Sequence, residues 1–248
     1  MTEVNHGSEI LINRETMKNK LSTLLLLILI IFTGASTDAM GQKDKSAKSA
    51  KGKKNTEIRL FNGKDLSNWV FYLRDPSVDP ARVFTVRDGV IHITGDPFGY
   101  MRTKDVYSDY KLHVEWRYPG ELSNSGVFVH SQTPDTIWLK CFECQLHAGV
   151  AGDFICMNGS SMNEQKEGSR VIKKMNPSNE KPAGEWNTME VICKSNTIEV
   201  SVNGLLQNKA TGISDSKGHI CLQSEGKDIQ FRNVYLTPLP QEKRESKK

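Results

Sequence analysis

Residues 111–118 read KLHVEWRY, and this octapeptide decides the class of fold. Leu112, Val114, Trp116 and Tyr118 fall on one side of an extended chain, with Lys111, His113, Glu115 and Arg117 on the other. Side chains of a strand alternate between its faces, so the pattern describes a strand with one buried and one polar face. The same period recurs downstream. Residues 197–203, TIEVSVN, bury Ile198, Val200 and Val202, and residues 188–194 bury Met189, Val191 and Cys193. Further strands are expected at 83–86, 90–94, 127–130, 142–147, 153–157, 220–223 and 229–236. Asp88-Gly89 and Asn203-Gly204 are hairpin-turn dipeptides. Short strands with one apolar face each must bury those faces against one another, which predicts an all-β, two-sheet antiparallel sandwich over residues 57–238. The exception is 149–187, rich in Gly, Asn, Ser, Lys and Pro. It reads as a long loop insertion, either functional or disordered, with a lid over one sheet face as one available role.

The ends differ from this middle. Leu24 to Phe32 is wholly apolar, preceded by Lys18 and Lys20 and followed by Thr33-Gly34-Ala35-Ser36. A positive start, a short apolar run and a small-residue exit describe a secretory signal peptide. The run is about half of the roughly 20 residues that span a bilayer, so no membrane span is expected in the mature protein. The leader is placed at 1–41, with 1–16 readable as an over-extended start ahead of Met17. Residues 42–56 form a lysine-rich tether and 239–248 a charged tail, neither able to bury apolar surface. The reading is therefore of an exported protein, periplasmic or extracellular, with the tether able to hold it to an anionic envelope. The formal net charge of +4 belongs to these ends, because residues 55–240 hold 20 Lys+Arg against 22 Asp+Glu. A nucleic-acid surface is not indicated.

Five cysteines stand at 141, 144, 156, 193 and 221. Cys141-x-x-Cys144 lacks a second metal-binding pair, and positions three apart on a strand point to opposite faces. Buried, unpaired strand cysteines are the expectation. No phosphate loop, dinucleotide fingerprint or serine-hydrolase elbow occurs. No motif specifies a cofactor.

Residues 142–147, FECQLH, are the most informative for chemistry. Phe142, Cys144 and Leu146 belong to the core, and Glu143, Gln145 and His147 to the opposite face, where they suit a polyhydroxyl ligand. An ordinary solvated face is the alternative. Glu115 and Arg117 share another polar face, as ligand contacts or as a surface ion pair. Asn124 opens a strand at Asn124-Ser125-Gly126 and either orients a ligand or shapes a turn. His130 and Asp135 bracket a loop leading to Trp138, which offers a sugar-stacking indole unless it is core. Asp153 is a site acid or a turn former.

Taken in order, these segments resemble the 3-keto-disaccharide hydrolase domain family. The resemblance runs through Leu60-Phe61-Asn62-Gly63-Lys64-Asp65-Leu66 with Trp69, Tyr110 to Arg117, Asn124-Ser125-Gly126-Val127-Phe128 and Glu143-Cys144-Gln145-Leu146. It continues through Gly184-Glu185-Trp186-Asn187, Asn203-Gly204 and Leu222-Gln223 to Phe231-Arg232-Asn233-Val234. It implies a concanavalin A-like jelly roll with a concave carbohydrate-binding sheet. Many relatives carry an arginine after the Asn-Ser-Gly strand, where this chain has His130.

An ordinary glycosidase needs two carboxyl groups, about 5–5.5 Å apart for retention or about 6.5–9.5 Å for inversion. The residue two along from Glu143 is Gln145, so a conventional pair is weakened, with Glu115 as the remaining partner. The family chemistry implied by the resemblance needs less. A ketone at C3 makes the C2 proton acidic; a base removes it, the C1 substituent leaves, and water adds at C1. The expectation makes Glu143 the base and Arg117 or a divalent cation the oxyanion stabiliser. His130 or His147 is the expected proton donor, with Glu115, Asn124, Gln145, Asp153 and Trp138 around the ring. An upstream sugar oxidoreductase is the implied partner. A non-catalytic carbohydrate-binding module, using the same face without a base, is the competing class.

Overall fold

A computed structural model describes residues 56–240. The expected leader at 1–41, almost all of the tether and nearly all of the charged tail lie outside the described residues. In chain order the strands are β1 (Ile58–Arg59), β2 (Trp69–Leu73), β3 (Phe84–Arg87), β4 (Val90–Ile93), β5 (Gly99–Thr103), β6 (Tyr110–Arg117), β7 (Gly126–Ser131) and β8 (Cys141–Gln145). They continue with β9 (Phe154–Met157), β10 (Val171–Ile172), β11 (Asn187–Lys194), β12 (Thr197–Val202), β13 (Leu205–Thr211), β14 (His219–Ser224) and β15 (Ile229–Pro238). Among the described residues no helix is long and apolar enough to cross a membrane.

Two antiparallel sheets form a jelly-roll sandwich. The first runs β13-β12-β11-β6-β15-β4-β3, with β1 also on β15; the second runs β10-β9-β8-β7-β14-β5-β2. Leu112, Val114 and Trp116 from β6 meet Phe142 and Cys144 from β8, Val127 and Val129 from β7 and Leu222 from β14 in one inter-sheet core. Burying such side chains contributes about 1.5–3 kcal/mol each. The turns behave as their dipeptides require: Asp88-Gly89 and Asn203-Gly204 all have positive φ (51°, 73°, 46° and 81°), the backbone of a type I′ hairpin.

Strands β2, β5, β13 and the short β1 and β10 escape the alternation reading. Those of β2 and β5 matter for function. The outer face of the second sheet carries its own apolar cluster of Tyr100, Phe128, Leu139, Cys141, Ile155, Met157 and Cys221. A strand covered on both sides has no polar alternation to betray it.

The 149–187 excursion is not a lid over a sheet face. It supplies β9 and β10 to the edge of the second sheet and then ties to β13, the edge of the first. Asn163 and Met175 donate backbone N–H bonds to Thr211 and Gln207 (2.9 and 2.7 Å). Buried Asn208 of β13 donates Nδ2 to the carbonyls of Gly152 and Ile172 (3.3 and 3.0 Å). The excursion thus satisfies two edges that would otherwise expose unpaired backbone. Asn208→Ala is expected to destabilise the domain by about 1–3 kcal/mol, since it strips a donor from buried carbonyls. A denaturant midpoint equal to that of the parent protein would contradict this closure.

All five cysteines are buried and free. Cys144 lies in the inter-sheet core and Cys141 in the outer cluster, so opposite strand faces keep them from chelating together.

Candidate active site

The outer face of the second sheet is built from strands whose core-facing residues are fixed by the sandwich. Because Phe142 and Cys144 point inward, Glu143 points outward, and yet it is only 5 % exposed. Its row across the sheet is Ile155, Glu143, Phe128 and Cys221. The carboxyl therefore sits in an apolar setting, with no protein hydrogen-bond donor among the described residues. Burial pushes it up to about 8, the negative charge of Glu225 adds to the rise, and Arg170 opposes it.

Gly126 makes room for this carboxyl. A Cβ there would overlap the carboxylate and come within 2.9 Å of Glu143 Cδ and Cγ. The glycine is required by this close approach, not by its backbone angles. The Asn-Ser-Gly motif is accordingly a cradle as well as a strand entrance. Ser125 Oγ donates to the Gln223 carbonyl (2.9 Å), locking β7 to β14.

Glu225, one residue beyond β14, is the second carboxyl of this face. Cys221 and Gln223 share Glu143's side of the sheet by alternation. Gln223 Nε2 donates to Glu225 Oε2 at 2.9 Å. Burial raises the Glu225 carboxyl, and a hydrogen bond from Asn124 with the charges of Arg74, Arg170 and His147 pulls it back. Gln223 is 1 % exposed, and among the described residues its Oε1 has no partner, nor has Oδ1 of Asn124. Period two on β14 was a usable signal for Glu225. Arg170 and Arg74 had none, because loops bring them here.

The 132–140 loop walls the site. Arg102 grips Asp135 through both carboxylate oxygens (2.7 and 2.8 Å), and Tyr100 Oη donates to Asp135 and to the Thr136 carbonyl. Trp138 is 45 % exposed and packs on Phe98 at 5.0 Å between ring centroids, while Arg74 lies over the other ring system at 4.8 Å from the Phe98 centroid.

The expected site residues divide by location. Glu143, Gln145, His147 and Asn124 gather at one end of this face, and Trp138 stands at its rim. Gln145 is partly committed, since its Oε1 accepts from the backbone N–H groups of Leu146 and His147 (2.9 and 2.8 Å). Asp153 is buried and accepts from the Lys174 backbone (2.8 Å), which makes it a loop staple and not a ligand contact.

Arg117 and Glu115 are a correction. They project from the first sheet, on the far side of the sandwich, because Val114 and Trp116 face the core. Arg117 donates to Gln230 (2.7 Å) and lies over Trp186, while Glu115 accepts from Arg232 (2.6 Å) and Asn233 (2.7 Å). Neither can reach Glu143. His130 is a second correction. Its left-handed backbone (φ 53°) and the register shift between β7 and β14 break the alternation. The ring turns inward, edge-on to Tyr110 and Phe142, with Nδ1 2.9 Å from the Asp215 carbonyl. Burial lowers it to about 4, so it is a neutral core histidine at physiological pH.

An apolar cavity of about 540 Å³ near Leu66, Phe71 and Phe84 lies at the β2–β3 edge. Its carboxylates are occupied: Asp65 by Asn62 and Ser67, Asp79 by the Ala81 amide. It holds no group free for chemistry.

Residues 56–237 match the family described as 3-keto-alpha-glucoside-1,2-lyase-like domain. Among solved structures, the chain is similar to a Parabacteroides distasonis protein provisionally assigned as a glycosyl hydrolase. The two share 25% identity over 75% of this chain and 100% of that one, at a TM-score of 0.54. The β-glucanase of Bacillus licheniformis is 13% identical, covering 73% of this chain and 96% of its own, at 0.51. The carbohydrate-binding module CBM66 of Bacillus subtilis is 9% identical, covering 67% and 93%, also at 0.51. The last two likenesses concern the fold alone. No curated protein matches the sequence significantly.

Proposed function

The chain belongs to the 3-keto-alpha-glucoside-1,2-lyase-like domain family, and from that premise we propose that it cleaves glycosides whose sugar carries a ketone at C3. The reaction is an elimination followed by hydration. Loss of the C2 proton forms an enolate through the C3 ketone. Its collapse expels the C1 oxygen substituent and leaves a C1–C2 double bond conjugated to the ketone. Water then adds at C1 and a proton returns to C2, giving the free 3-keto sugar.

One observation carries this reading: a carboxyl, Glu143, turned out of the core into an apolar setting with no protein donor among the described residues. A titrating group held at about 8 is suited to proton transfer near neutral pH. The positive charges of Arg170 and Arg74 at the same carboxyls suit the enolate oxygen. A similar Parabacteroides protein assigned as a glycosyl hydrolase supports the general class.

The test is a panel of native and 3-keto glycosides, with and without a chelator. Release of sugar from 3-keto glycosides alone is expected. Cleavage of native glycosides only would sink the proposal. The exposed Trp138 on Phe98 favours a second reading, a carbohydrate-binding module, and binding of the panel without turnover would select it.

Because the substrate bears a C3 ketone, an oxidoreductase acting on the C3 alcohol must precede this step. The apolar run 24–32 with its flanking residues supports action outside the cytoplasm. A mature protein beginning at Gln42 in the exported fraction is the expected mass-spectrometric result.

A further inference from the structure

We infer that this site divides its labour between two carboxyls: Glu225 takes the C2 proton, and Glu143 delivers a proton to the oxygen leaving C1. The inference rests on the reaction proposed above and exchanges the role that the sequence suggests for Glu143.

Burial raises both carboxyls and Arg170 pulls both back; what sets Glu225 apart is the hydrogen bond it accepts from Gln223 Nε2 at 2.9 Å and the nearby charges of Arg74 and His147, which favour a carboxylate. Glu143 lies between Ile155 and Phe128 in its row, without a donor among the described residues. One proton held by the pair therefore resides on Glu143 and the charge on Glu225.

Gln223 is 1 % exposed and presents its Nε2 donor to Glu225, the arrangement suited to an ionised carboxyl.

Spacing agrees. β8 and β14 flank β7, so their axes are roughly 10 Å apart. Glu143 leans over Gly126, the residue on β7 with no side chain. The Glu143 carboxyl thus fills the space above Gly126, on the β14 side of its own strand.

The steps balance. The Glu225 carboxylate accepts the C2 proton, and the C–H electron pair forms the enolate. The enolate pair re-forms the C3 carbonyl, C1–C2 becomes double, and the C1–O bond breaks as Glu143 gives its proton to the departing oxygen. Water then attacks C1 and gives its proton to Glu143, while Glu225 returns its proton to C2. Both groups end as they began.

The experiment separates proton abstraction from departure. In D2O, 1,5-anhydro-3-keto-glucitol has no exocyclic leaving group at C1, so C2–H exchange by NMR reports the base without aglycone departure. Glu143→Gln is expected to keep most of the exchange and to release 4-nitrophenol from its 3-keto-glucoside. It should lose about 10²–10⁴-fold on the methyl 3-keto-glucoside, whose leaving oxygen needs the acid. Glu225→Gln should lose exchange and both cleavages, with Glu225→Asp recovering part of each; thermal unfolding of every variant checks the fold. Loss of exchange in Glu143→Gln, retention of it in Glu225→Gln, or an equal fall on aryl and methyl substrates overturns the division. Wild-type exchange without cleavage would overturn the reaction and the acid role while leaving the base assignment to the variants. A wild type that does neither overturns both.

Discussion

Glutamine at position 143 is expected to make the protein more stable, by a margin that grows as the pH rises from 5 to 8. In the folded chain burial holds the Glu143 proton until about 8, whereas an ordinary glutamate releases it near 4.5. Below both values the two states are protonated alike and the buried acid costs nothing in linkage. Between them the unfolded chain ionises while the folded chain does not, so stability falls by about 1.4 kcal/mol per pH unit. Above 8 both states are ionised and the loss levels off. Glutamine carries no such proton, so at pH 7 the advantage of the variant is on the order of 3 kcal/mol. For a domain of this size that is about 2–4 °C in Tm for each kcal/mol. Thermal melts of both proteins at pH 5, 7 and 8 check it; parallel curves would mean that Glu143 is ionised throughout. A residue whose removal stabilises the fold is a typical cost of function.

Alanine at position 126 should do the reverse, sparing the fold and disabling the site. The added methyl meets the Glu143 carboxyl, and the flexible side chain moves away more easily than two paired strands do. Turnover of a 3-keto glycoside should fall by about 10²-fold, the scale of a 1 Å misplacement. The fold should hold, because a strand residue with ordinary φ gains from losing glycine's freedom in the unfolded chain. Undiminished kcat/KM in Gly126→Ala would show that Glu143 does not work from over Gly126.

Much of this was legible in advance, and the reasons are specific. KLHVEWRY and TIEVSVN carry apolar residues at every second position, and Asp88-Gly89 and Asn203-Gly204 have the positive φ that their types predict. Trp69–Leu73 and Gly99–Thr103 were not legible as strands. Tyr100 is fully buried on the outer side under the 132–140 loop, while Met101 is fully buried in the core. With both faces covered, no polar alternation remains. His130 misleads because proximity in sequence to Trp138 says nothing about a left-handed residue that turns its ring inward.

Face parity follows from the order of residues alone: Glu143 opposite Phe142, Arg117 opposite Trp116, Cys141 opposite Cys144. Those relations depend only on a period of two along one strand, a local property of the backbone. The tertiary structure alone decided which polar face meets which. Strand order and sheet membership arise from long-range pairing, and they put Arg117 and Glu115 on the far side of the sandwich. The same pairing brought Glu225 past the end of β14 and Arg170 out of the long excursion to within electrostatic reach of Glu143. One carboxyl was readable from a hexapeptide; that Glu225 is its partner was decided only when β8, β7 and β14 lay side by side.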